Sequence, residues 1–161
     1  MATMSDQGRR DLISALITTY RELNNQVRPL PEEHLRQGGG AEGSVRAVVT
    51  RLRDTELRFS QALKERVTGV AMPEIFGEDE VPVLGTETDH DSTASLISQF
   101  GTAREATLAL LRPLPEDGWD QALEGGKPIY ARVEELAAND RQQLERITGL
   151  LGAGSQRVGT A

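Results

Sequence analysis

The chain has 161 residues, enough for one domain with its own core, and its 37% apolar and 27% charged residues suit a globular chain rather than a disordered one. A formal charge of −7 without a basic stripe sets it against phosphate backbones and anionic membrane surfaces, so neither nucleic acid nor membrane is expected as a partner. The absence of cysteine excludes disulfides, thiolate metal sites and thiol nucleophiles, and suits a reducing, cytoplasmic setting.

The first ten residues, MATMSDQGRR, lack the apolar run of a secretory signal. No stretch nears the roughly 20 apolar residues that a membrane span needs. Helical periodicity begins at about Asp6 and runs to Val27, with Leu12, Ile13, Leu16, Ile17, Tyr20 and Leu23 on one stripe. Two prolines in the sequence RPLP at 28–31 end it. The glycine cluster at 38–43 reads as a connector, because no GK[ST] follows to make it a phosphate loop. A second helix opens at Ser44, a good N-cap type, with Val45, Val48, Val49, Leu52, Phe59 and Leu63 on its stripe. Glu56 falls on that stripe too.

Residues 68–91 break every period with proline, glycine and acids, and read as a mobile link packed in part by Ile75, Phe76, Val81 and Leu84. The third helix begins near Asp91 or Ser92, carries Leu96, Ile97, Phe100, Ala103, Thr107, Leu110 and Leu111, and stops at Pro113. A second connector, 114–127, holds the single tryptophan, Trp119, which reads as the cap of a core end. The fourth helix spans about Pro128 to Leu151, with Val133, Leu136, Ala137, Leu144, Ile147 and Leu151 on its stripe and Asp140 inside it. Four amphipathic helices without convincing strands predict an all-α four-helix bundle over 1–152, followed by a small polar, disordered tail at 153–161.

Sites in such bundles are built from facing helices. The polar residues near the stripes are Arg51, Asp54, Thr55 and Glu56 on the second helix, and Glu135, Asn139, Asp140 and Gln143 on the fourth. Asn139 and Gln143, four apart, share a face. His34 and His90 fall in connectors without a helical partner and read as solvated.

The stretch SVRAVVTRLRDTE at 44–56 resembles the second-helix motif of the DinB-like (DNA-damage-inducible) superfamily, where a serine opens the helix and a histidine comes seven residues later. The stretch ELAANDRQQLERI at 135–147 resembles that family's fourth helix, where a His-Asp pair is followed by a histidine four residues after the first. The resemblance implies a four-helix bundle, often a homodimer, in which three histidines of many relatives hold zinc or nickel and some relatives are transferases, isomerases or hydrolases. Here the three positions are Arg51, Asn139 and Gln143, and the tryptophan that usually precedes the serine is Gly43. A permanent cation and two neutral amides are poor metal ligands, so no metal or other cofactor is expected. Arg51 is then expected either to pair with Glu56 or Asp140 in place of the metal, with Asn139 and Gln143 completing the cluster, or to be solvated. The candidate pocket is Arg51, Thr55, Glu56, Asn139, Asp140 and Gln143, taking a small molecule or a partner. Two alternatives stand beside it. One is a metal-dependent transferase or hydrolase that uses carboxylate ligands such as Asp54, Glu56 or Asp140; the other is a dimeric structural or stress-associated protein without a ligand.

Overall fold

The computed structural model describes residues 4–38, 43–69, 91–123 and 125–159, with side chains through 152. The expectations for most of the glycine cluster, for the link with Ile75, Phe76, Val81 and Leu84, and for His90 lie outside the described residues. Five α-helices form among those residues: α1 (Asp6–Gln26), α2 (Glu32–Leu35), α3 (Val45–Thr68), α4 (Thr93–Leu111) and α5 (Ile129–Gly159). A 3-10 turn, Glu116–Asp120, sits between α4 and α5. No helix among the described residues is long and apolar enough to cross a membrane.

Three long helices start on serine. The side chains of Ser5, Ser44 and Ser92 accept from the amides of Gly8, Ala47 and Ser95, satisfying donors that a helix start leaves open. Helix α3 ends on Gly69 at φ 74°, a left-handed position that glycine takes without strain, and its N–H closes on the Glu65 carbonyl. The short α2 is a departure from the connector expected there. Its Leu35 is buried, and both oxygens of Glu32 accept from the Thr93 amide at the start of α4, at 3.1 and 3.0 Å. His34 lies on this helix and is half-buried rather than solvated.

The four long helices form a ring of contacts: α3 with α4, α4 with α1, α1 with α5, and α5 with α3. The core they share has two apolar clusters. One holds Leu16, Phe59, Leu63, Leu108, Leu111 and Trp119 among others, and the second holds Leu23, Val48, Leu52, Ile97, Phe100 and Ile147 among others. Following residue numbers from one cluster to the other shows that α1 and α5 run one way and α3 and α4 the opposite way. Trp119 is buried at the first cluster, as a core cap should be.

Ile17 departs from expectation at 42% exposure, because the buried face of α1 centres on Leu16, Thr19 and Leu23 and leaves Ile17 at its margin. Leu110 and Leu144 are only partly buried. Helix α5 continues to Gly159, beyond the Leu151 end read from the sequence and into the segment expected to be a disordered tail. At Gly101 a side chain would run into the Tyr20 ring, so glycine here lets α1 and α4 approach.

Candidate functional site

Between the two apolar clusters lies a layer of buried polar side chains, and every long helix contributes to it. Thr19 comes from α1, Glu56 from α3, Arg104 and Thr107 from α4, and Asp140 from α5. Position 104 is four residues past Phe100 and four before Leu108, which puts it on the buried face of α4. The Arg104 Nη2 donates to Glu56 Oε1 at 2.7 Å and lies 2.9 Å from Asp140 Oδ2, so one guanidinium nitrogen bridges two carboxylates. Its Nη1 donates to the Leu16 carbonyl at 2.7 Å, and its carbon stands 4.8 Å from the centre of the Phe100 ring. The Thr107 hydroxyl donates to Glu56 Oε2 and the Thr19 hydroxyl to Asp140 Oδ2, both at 2.7 Å.

Buried charges persist only when paired and hydrogen-bonded, and this layer pairs its charges and satisfies all of them but the Arg104 Nε–H, which has no hydrogen-bond partner among the described residues. Burial works to lower the Arg104 pKa, but the hydrogen bond and charge of Glu56, with the charge of Asp140, outweigh it, so the guanidinium is held more firmly protonated than usual. Burial pushes the Asp140 carboxyl above the ordinary aspartate value, and the Glu56 charge adds to that. The Arg104 charge and the Thr19 hydrogen bond recover only part. One cation faces two carboxylates, and burial is the main reason that the Asp140 carboxyl stands above its ordinary value.

The second feature is a cleft of about 360 Å³ along the seam of α3 and α5. Helix α3 offers Thr55, Arg58, Phe59 and Ala62, and α5 offers Arg132, Glu135, Leu136 and Asn139. Both sets follow the i, i+3, i+4, i+7 spacing of one helix face. Because the helices run antiparallel, Thr55 lies toward Asn139, and Ala62 lies toward Arg132 and Leu123 at the far end. Glu135 is gripped by Lys127 and lies 3.5 Å from Arg132 Nη1. The Lys127 hydrogen bond, opposed by some desolvation and helped by the charges of Lys127 and Arg132, holds its carboxyl below the usual range. Arg58 is exposed and has no ion-pair partner among the described residues.

The six candidate residues therefore separate. Glu56 and Asp140 meet in the buried layer, and Thr55 and Asn139 open on the cleft. Gln143 donates to Asn139 at 3.4 Å but does not line the cleft. Arg51 is exposed on α3, and the arginine between Glu56 and Asp140 is Arg104, so the pairing expected of Arg51 is made from another helix. Asp54 pairs with buried Arg53 rather than with the layer. The sequence puts Thr107 on the third-helix stripe without a polar role, and Arg104, Thr19, Arg58 and Arg132 are not among its candidates. Arg104 carried the same signal as Glu56, a charge at an apolar register, since 97, 100, 104, 108 and 111 make one stripe.

The positions that hold a metal in the resembled family do not fit one here. An exposed arginine and two amides bonded to each other make a poor donor set. Among the described residues no three His, Cys, Asp or Glu side chains converge as a ligand group. Comparisons with family models, with curated proteins and with solved structures return no match.

Proposed function

We propose that this chain is a DinB-like four-helix bundle without the metal site, and that it binds a small molecule in the α3/α5 cleft. The family assignment rests on the sequence patterns at 44–56 and 135–147. The binding assignment rests on one observation. A cleft of about 360 Å³, near the small end of ligand pockets (roughly 300–1,000 Å³), sets the polar groups of Thr55, Arg58, Arg132, Glu135 and Asn139 beside Phe59, Leu123 and Leu136. Glu56 and Asp140 do not serve as metal ligands in this reading, because the Arg104 guanidinium already stands between them. The layer does the structural work that a bound cation would do, and the cleft beside it is left for a ligand.

A screen of small anions, cations and neutral compounds by melting temperature and amide chemical shifts tests this. The expected result is at least one compound that raises the melting temperature of the native chain and loses that effect in Ala62→Trp, whose indole fills the cleft. Failure of every class to bind the native chain overturns the proposal. A homodimer belongs to the same reading. Sedimentation decides it, and a monomer at all concentrations removes that part.

A further inference from the structure

We infer that the cleft takes a small monoanion with an apolar body, of the medium-chain carboxylate class, its charged end held by Arg58 and Arg132. This rests on the reading of the cleft as a ligand site and goes further in naming the ligand's chemistry. The charge balance at the cleft is the first support. In a chain of net charge −7, this rim carries Arg58 and Arg132 against the single carboxylate of Glu135. Glu135 is already shared between Lys127 and Arg132, so a cationic ligand would find its one counter-ion taken. Among the described residues, an anion finds Arg58 without an ion-pair partner, and it finds Arg132 held to Glu135 only at 3.5 Å, with a buried Nε that has no hydrogen-bond partner.

The second support is the rest of the lining. Phe59, Ala62, Leu123 and Leu136 present apolar surface next to those cations. Inorganic phosphate would leave that surface wet, whereas an alkyl or aryl chain would cover it. A carboxylate also matches the planar fork of an arginine, which can donate two parallel hydrogen bonds to it. Thr55 and Asn139, at the opposite end from Ala62, remain for a polar tail.

The experiment titrates the full chain with octanoate, octanamide and inorganic phosphate by calorimetry, with amide chemical shifts to locate binding. Octanoate is expected to bind at the α3/α5 seam roughly tenfold or more tighter than octanamide, the loss of a charge-assisted pair. Arg58→Gln, a change at an exposed position, is expected to remove most of that difference while leaving the melting temperature alone. Phosphate is expected to bind far more weakly than octanoate. Equal affinity for octanoate and octanamide overturns the inference and leaves the cleft a ligand site of another kind. Phosphate matching octanoate overturns the apolar-body half. Binding of only cationic or neutral compounds in the wider screen overturns the anion assignment and spares the proposed function. Failure of every compound sinks both.

Discussion

Arg104 and Arg132 are both arginines paired with a glutamate, at 2% and 41% side-chain exposure. Around Arg104 the protein spends three helices' worth of partners: two carboxylates, a backbone carbonyl and a ring, with a threonine hydroxyl on each carboxylate. Around Arg132 it leaves a 3.5 Å contact and open space. A sealed ion cluster is hard to alter and specifies packing, because removing one member strands the others in a medium of low polarity. A half-open one is adjustable, and a ligand can complete it. The same residue types thus give structure in one place and a site for recognition in the other.

The largest effect that would break this comparison is at Arg104. Arg104→Met leaves two buried carboxylates without a cation and should cost about 3–5 kcal/mol in urea unfolding. A loss under about 1 kcal/mol would mean that the layer admits water and is not sealed. Next in size, Glu56→Gln should cost about 1.5–3 kcal/mol, the range of hydrogen bonds to charged groups, and more than Asp140→Asn.

The smaller cost at Asp140 follows from its raised pKa, because burial already works against its ionised form. The sign of the pH dependence follows too. A carboxyl whose pKa is raised on folding stabilises below its unfolded value, near 3.8, and that contribution is lost as pH rises through the folded value. The native chain should therefore gain stability relative to Asp140→Asn as pH falls from 7 toward 4. Parallel pH profiles of the two would contradict the assignment.

A smaller effect belongs to Glu32. Its carboxylate caps the start of α4, and Glu32→Ala should cost on the order of 1 kcal/mol, seen as faster hydrogen exchange at the first turn of α4. The smallest belongs to Arg51. At an exposed position, Arg51→Ala should shift stability by no more than about 0.5 kcal/mol, which a melting curve checks.

Arg51 also shows where sequence reading reaches its limit. The four long helices, the Ser44 cap and the stripes that place Glu56 and Asp140 inside were readable, because periodicity and capping are local signals. The partner of those acids comes from α4 rather than from the helices that carry the 44–56 and 135–147 motifs, and its Arg104 lies between apolar neighbours at the same register. Thr19 was hidden in the same way behind Tyr20, which is next to it and looked more like core. The cleft was less readable still. Arg58 and Arg132 line one cleft only because α3 and α5, distant in sequence, pack side by side, and no pattern within either helix reports that.

The measurement that tests the division between structural layer and binding cleft most directly is a nuclear magnetic resonance titration of the native chain with octanoate, following arginine Nε–H and backbone amide signals together. Shifts are expected at Arg58, Arg132 and the amides around Asn139, with the Arg104 Nε–H unmoved. Shifts centred on Arg104, or none at any residue, would contradict that division.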